Sequence, residues 1–367
     1  MRIAYIIHSL DGYGAGFPVP RVTSFMRANG ADVRLFALQR RDNRLASMLD
    51  AVNLPYEVFE GGHTLCSFGW LRERLRAYEP TVVWTSMSQA TLLGGIAGRL
   101  MGVPVVSWQH NVFLAPGNQI MLRLARRSTD LWVADSETVA DITRKRFRLA
   151  DHELATWPLF AITPDAPQSK PATPGETFRI GSLGRLHAHK GYDILIEAMA
   201  ELRRTDPALA AGYEVVIAGH GPAGDRFKAL AAQRGVSNIT FAGYTPDPRA
   251  FLGQMHGYVQ PSRVEGLCIS VHEAMQAGLA TIVTSVGEMP RSVKDGETGY
   301  VVPPKDVGAL AGALRRLLSD PARAGVMGIA ARDFVNDRYS EARFAEAGLR
   351  ALNLARSLGA QKNRRSF

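Results

Sequence analysis

Five prolines crowd one segment, Pro158, Pro164, Pro167, Pro171 and Pro174, with few large apolar side chains between them. Such a run reads as a linker. It falls inside a chain of 367 residues, long enough for two domains with separate cores. On both sides one pattern repeats: a short apolar run, a loop rich in glycine or charge, then an amphipathic stretch. That repeat constrains the chain to the α/β class, with a parallel sheet in each half.

In the first half, Ile3, Tyr5, Ile6 and Ile7 mark Arg2 to Ser9 as a buried strand. Asp11-Gly12-Tyr13-Gly14-Ala15-Gly16 follows, and then a helix entered at Pro18 and Pro20, with Val22, Phe25 and Met26 on one face. Strand, glycine loop and helix is the form of a phosphate site, because glycines let the backbone approach a ligand. The spacing is not G-x-G-x-x-G, so a plain tight turn is the competing reading. The alternation continues with strands at Val33 to Leu38, Thr81 to Thr85, Val103 to Trp108 and Leu131 to Ser136, and with helices at Leu71 to Tyr78, Ala90 to Met101 and Glu137 to Arg148. The strand ending at Trp108 delivers His110 at its C-terminal end, where open α/β sheets place their ligands. A satisfied structural histidine is the alternative there.

In the second half, a strand from Phe178 to Leu183 runs into Gly184-Arg185-Leu186-His187-Ala188-His189-Lys190-Gly191, ahead of a helix from Tyr192 to Arg203. Arg185, a planar fork, and Lys190, a point charge, can both reach one diphosphate. A solvated charged loop is the plainer reading. Strands at Tyr213, Ile239 and Gly257 end in further loops, so four strand ends meet at one sheet edge. The last of them leads into Ser262-Arg263-Val264-Glu265-Gly266-Leu267-Cys268 and a short helix carrying Glu273. Free N–H groups at a helix start accept an anion, and a carboxylate stands on either side. That suits a ligand with hydroxyls at both ends and negative charge between them, the shape of a nucleoside-diphosphate sugar. Beyond lie a strand at Thr281 to Thr284, a helix at Ala309 to Leu318, a loop region from Asp333 to Ser340, a long helix from Glu341 to Leu358, and a basic tail from Gln361 expected to be disordered.

Four motifs in order carry a resemblance: Gly184-Arg185-Leu186 with Lys190-Gly191; Ala218-Gly219-His220-Gly221-Pro222; Pro261-Ser262-Arg263 with Glu265 and Glu273-Ala274-Met275; and Asp295-Gly296-Glu297-Thr298-Gly299 through Pro304. Together the chain resembles the retaining, GT-B-fold glycosyltransferases of family 4, most strongly from Ile180 to Leu318. The resemblance implies two Rossmann-like domains facing a central cleft. Residues 1–165 would bind the acceptor and residues 166–345 the nucleotide sugar, while residues 346–367 would supply a helix crossing back to the first domain and a tail.

It also implies roles. Arg185 and Lys190, with Gly184 beside them, hold the donor diphosphate and stabilise it as it leaves. Glu265 faces the donor sugar, and the N–H groups of Gly266, Leu267 and Cys268 meet phosphates or sugar. Glu273 holds the ribose, Thr245 lies near the base, His110 lies near the donor sugar and acceptor, and Gly14-Ala15-Gly16 approaches the diphosphate. By residue type alone Glu265 could be a nucleophile; the resemblance speaks for same-face attack without one. The loop continues Phe17-Pro18-Val19-Pro20 where the family has a shorter polar and acidic run. No D-x-D motif occurs in the sequence, so no metal site and no cofactor are expected, the nucleoside-diphosphate sugar being a substrate. The acceptor is expected to be a saccharide or lipid-linked hydroxyl of surface polysaccharide or glycolipid synthesis. A nucleotide-sugar epimerase and a non-catalytic sugar-nucleotide-binding subunit are the rival functions.

The net charge of +9 asks for anionic partners. Nucleic acid is set aside for lack of interleaved aromatic and basic residues. Clusters such as Arg123, Arg126 and Arg127 beside Met121, Leu122 and Leu124 read either as solvated helix faces or as a surface resting on acidic lipid. Two cysteines without metal-ligand spacing, no apolar run of membrane-spanning length and no signal peptide make the expected location cytoplasmic, with peripheral contact at the inner membrane face.

Overall fold

The computed structural model describes the chain except residues 11–15, 42–43, 62–65, 174 and 366–367, with backbone alone from Gln361 to Arg365. It comprises two compact units, one of Met1–Phe160 with Glu341–Phe367, the other of Ala161–Ser340.

The first unit holds seven parallel strands: β1 (Arg2–Ile7), β2 (Asp32–Ala37), β3 (Tyr56–Val58), β4 (Val82–Ser86), β5 (Val105–Gln109), β6 (Leu131–Ala134) and β7 (Leu154–Thr156), in the order β3-β2-β1-β4-β5-β6-β7. Strand order reverses between β1 and β4, which opens a crevice at their C-terminal ends. The central strands are buried along their whole length, as strands covered by helices on both faces must be. Trp84, Trp108 and Trp157 form the aromatic centre, the last two stacked at 4.7 Å. The closing helix, Glu341–Arg365, packs Phe344 against Phe25 and Trp157 in this unit. Gly348 permits that approach, since a Cβ there would stand 2.5 Å from the Phe25 ring.

The second unit holds β8 (Phe178–Leu183), β9 (Tyr213–Ala218), β10 (Ile239–Gly243), β11 (Gly257–Gln260), β12 (Ala280–Thr284) and β13 (Gly299–Val302), all parallel in the order β10-β9-β8-β11-β12-β13. Its switch point lies between β8 and β11, so the loops after these two strands flank one crevice.

Several local expectations change. The units divide after Phe160 and Ser340, where the sequence placed boundaries at 165 and 345. The proline-rich segment is not a free tether: Ile162 N–H donates to Tyr339 O, and Ser169 N–H to Ala277 O, both within the second unit. The loop expected from Asp333 to Ser340 is in large part the end of a helix, Pro321–Arg338. Its pattern is broken by small residues that packing demands: a Cβ on Gly328 would lie 1.9 Å from Gly278 O. The tail expected to be disordered is helical through Arg365; Ala360, Gln361, Lys362 and Arg364 are sound helix formers with no proline to stop them. Strands β3, β7 and β13 were not expected as strands. The first two are three residues each, too short for an alternation to show.

Candidate active site

The crevice side of the second unit gathers most of the residues singled out from sequence. Gly184, Arg185 and Lys190 follow β8, Thr245 follows β10, and Glu265 to Cys268 follow β11. Glu273 stands within the helix Ile269–Gln276. Two glycines make the crowding possible. Gly191 sits at φ 70, where a Cβ would lie 2.0 Å from Pro261 O, and Gly219 sits at φ 145, where a Cβ would lie 2.0 Å from Gly184 O. Both are in backbone regions that side chains rarely adopt. They let the β9 and β11 loops close on the loop after β8.

The Lys190 ammonium donates to Glu265 Oε1 at 2.7 Å, with both side chains largely buried. Burial works against the lysine's charge, but the Glu265 carboxylate more than offsets it and holds the ammonium above its ordinary pKa. Behind this pair runs a buried relay. Ser262 Oγ donates to Glu265 Oε1 at 2.6 Å, Gln260 Nε2 to Ser262 Oγ at 2.8 Å, Tyr258 OH to Gln260 Oε1 at 2.7 Å, and Leu183 N–H to Tyr258 OH at 3.1 Å. Each member is fully buried, and the chain fixes the Glu265 carboxylate through one oxygen. Its Oε2 has no hydrogen-bond partner among the described residues.

Around the pair lie unpartnered donors. Arg185 is exposed and makes neither ion pair nor hydrogen bond among the described residues. The N–H groups of Gly266, Leu267 and Cys268 likewise donate to no described group. Cys268, at φ 60, turns the backbone into the helix Ile269–Gln276, so these amides precede a helix N-terminus that favours anions. The Cys268 thiol is buried and pushed up to about 12 by that burial. It serves as packing rather than as a thiolate. The carboxyl of Glu273, one helical turn in, has no hydrogen-bonded partner among the described residues, and burial raises it to about 7. Thr245 donates to Asp247 O.

In the first unit, His110 follows β5 and is buried. Ser86 Oγ lies 2.6 Å from its Nε2, and Asp135 Oδ2 lies 3.4 Å from its Nδ1, an ion-pair separation longer than a good hydrogen bond. The imidazole is therefore a held group, flanked by residues from the ends of β4 and β6. Gly16 belongs to the loop after β1 and is buried; Gly14 and Ala15 lie outside the described residues. No cluster of three or more His, Cys, Asp or Glu suited to a metal occurs among the described residues.

Sequence reasoning missed the relay Tyr258, Gln260 and Ser262, and the His110 neighbours Ser86 and Asp135. A signal for the relay was present: polar groups at every second position of a strand that is otherwise apolar put all of them on one face. For Ser86 and Asp135 the signal was position alone, each at or just past a strand's C-terminal end.

Two families match the chain, glycosyltransferase family 4 over residues 19–161 and glycosyl transferases group 1 over residues 165–334. The GDP-mannose-dependent alpha-(1-6)-phosphatidylinositol monomannoside mannosyltransferase of Mycolicibacterium smegmatis is 31% identical over 290 residues, 71% of this chain and 72% of its own length. The D-inositol 3-phosphate glycosyltransferase of Acidothermus cellulolyticus is 28% identical, covering 86% of this chain and 80% of that protein. Among solved structures, Anabaena Alr3699/HepE in complex with UDP and glucose superimposes with a TM-score of 0.82 at 18% identity, over 96% of this chain and 99% of that one. That likeness identifies the fold as GT-B.

Proposed function

The chain belongs to glycosyltransferase family 4, and from that premise we propose a retaining, metal-independent transfer of a hexose from a nucleoside-diphosphate sugar to a hydroxyl of a saccharide or lipid-linked acceptor. The observation that carries the proposal is the Lys190–Glu265 pair bordered by an unpartnered Arg185 and three unpartnered amides. In the reaction the bond from the anomeric carbon to the diphosphate oxygen breaks, and charge gathers on the leaving diphosphate. Arg185, Lys190 and the N–H groups of Gly266, Leu267 and Cys268 receive that charge, a task worth several kcal/mol when such donors are preorganised. The acceptor oxygen forms the new bond on the same face, and its proton passes to the departing phosphate oxygen, so no enzyme nucleophile is needed. Glu265 presents its free Oε2 to sugar hydroxyls, and Glu273 takes the ribose hydroxyls. Thr245 serves the base, and His110 keeps the part the family resemblance gives it, beside sugar and acceptor.

The activity of the mycolicibacterial relative makes GDP-mannose the first donor to test, and the Anabaena complex makes UDP-glucose the second. A lipid-linked acceptor is favoured by one surface of the first unit. Ile96 and Leu100 of the helix Ser88–Leu100, Ile120 and Leu124 of the helix Pro116–Ala125, and Phe113 are all exposed, with Arg123 and Arg127 exposed beside them. Apolar side chains rimmed by arginine suit the headgroup boundary of an acidic bilayer. No helix among the described residues is long and apolar enough to cross a membrane, so the contact would be peripheral, at the cytoplasmic face where nucleotide sugars are made.

Release of nucleoside diphosphate, followed with each donor with and without an acceptor extract, tests the reading. Lys190→Ala and Glu265→Ala should each lower acceptor-dependent release about a hundredfold or more while the far-ultraviolet spectrum is unchanged. Full activity in both variants would sink the assignment.

A further inference from the structure

The turn that carries Lys190 borders a second cationic neighbourhood. A cavity of about 470 Å³ opens there, lined by Asp193, Arg226, Arg263 and Lys305 with Ala223 and Phe227 as apolar wall. Neither Arg185, Lys190 nor Glu265 lines it. The four charged residues come from four elements: Asp193 from the helix Tyr192–Thr205, Arg226 from the helix Gly224–Gln233, Arg263 from the loop after β11, and Lys305 from the turn after β13.

Arg263 is rigidly placed. Its two terminal nitrogens each bond an Asp193 oxygen at 2.7 Å, and Nη1 also donates to Ala188 O at 2.7 Å. Partial burial disfavours the Asp193 charge, but the Arg263 guanidinium prevails and holds the carboxyl below its ordinary range. Asp193 therefore cancels one cation. Arg226 and Lys305 are exposed and have no ion-pair or hydrogen-bond partner among the described residues. Three cations less one carboxylate leave a surplus of two positive charges facing one cavity. Lys305 also holds a left-handed backbone, φ 66, which glycine or asparagine adopts more readily. Its long cationic side chain stands there against local preference.

We propose that this cavity binds a soluble phosphomonoester dianion, apart from the nucleotide-sugar cradle. The charge surplus matches the dianion, Arg226 and Arg263 offer guanidinium forks to phosphate oxygens, and Ala223 with Phe227 gives the attached alcohol an apolar wall. The site is continuous with the donor loop, because Arg263 N–H also donates to His189 O at 2.7 Å, one residue before Lys190.

Isothermal calorimetry with inorganic phosphate and with glycerol 3-phosphate tests the proposal and needs no transfer activity. The proteins compared are the unaltered chain, the double variant Arg226→Gln with Lys305→Gln, and Arg185→Ala. All three substituted residues are exposed, so the fold is retained. The expected result is saturable binding by the unaltered chain and by Arg185→Ala, weakened about tenfold or more in the double variant as two charge-assisted contacts are lost. Equal binding by the double variant would overturn the proposal. So would the absence of binding by the unaltered chain at millimolar ligand, or loss confined to Arg185→Ala, which would place the phosphate in the donor cradle.

Discussion

Glu273 gives the site a measurable pH dependence. Burial raises its carboxyl from 4.5 to about 7, with Arg249 only partly opposing the shift. The folded state thus holds a proton that the unfolded chain releases. Stability associated with this group is fully present below pH 4.5 and is lost as pH rises from there to about 7. At about 1.4 kcal/mol for each pH unit of that window, the full loss is about 3.5 kcal/mol, of which roughly 3 falls between pH 4.5 and 8. Glu273→Gln has nearly the same shape and no proton to lose, so its unfolding free energy should lack the decline. Urea titrations at several pH values from 4.5 to 8 measure the difference, which should grow in favour of the variant by roughly 2–3 kcal/mol. Binding should move the other way. In the role proposed for it, the Glu273 carboxylate accepts both ribose hydroxyls, so nucleoside-diphosphate affinity in the unaltered chain should rise about tenfold from pH 6 to 8 as the group ionises. The diphosphate's own ionisation gives both proteins a common slope, and calorimetry on the pair subtracts it. At pH 8 the amide, lacking a charge-assisted bond, should bind about tenfold more weakly. Parallel pH profiles for the two proteins would refute both the buried carboxyl and its place at the ribose.

Three further outcomes follow from the same geometry. Gly191→Ala forces a Cβ to within 2.0 Å of Pro261 O at φ 70, so it should destabilise the second unit by about 2 kcal/mol or more, seen as a lower melting temperature. His272, buried and bonded to Ser292 and Tyr339, is pushed down to about 4 by burial. Its neutral form is required, so stability should fall as pH drops from 6.5 towards 4, and His272→Gln should flatten that limb in pH-dependent denaturation. Of the two free cysteines, Cys66 is exposed and Cys268 is buried with its thiol near 12. Iodoacetamide at pH 8 followed by peptide mass spectrometry should label Cys66 alone in the native protein and both in urea.

The fold was legible where strands were long and central. β1, β4, β5, β8 and β9 are largely apolar and largely buried, as strands covered by helices on both faces are. The helix Pro321–Arg338 was not read as a helix over any part of its length, and its last turns were taken for a loop. Its sequence places glycines and alanines where helix meets backbone, at Gly328 against Gly278, and a close contact of this sort erases the apolar stripe that would announce a helix. The proline-rich segment misled for a related reason. Its composition is that of a tether, but its backbone groups find partners on the second unit at Ala277 and Tyr339, and composition alone cannot show where a hydrogen bond will go.

The candidate site was legible in its loops and illegible in its supports. Glu265 and Lys190 lie far apart in sequence, yet both were singled out: each stands in a glycine-flanked loop at a strand's end, and the four ordered motifs outweighed the plainer reading of a solvated charged loop. What holds them could not be named. Tyr258 and Gln260 sit inside a strand that reads as ordinary core, with Ser262 just past its end, and only the register of β8 against β11 brings Leu183 N–H to the Tyr258 hydroxyl. Each polar group in that relay is buried and satisfied, so removing any one leaves its neighbour unpaired at about 1–3 kcal/mol. The relay therefore ties the orientation of Glu265 to the packing of two strands. A carboxylate fixed through Oε1 has only Oε2 left to offer, which suits a grip on sugar hydroxyls.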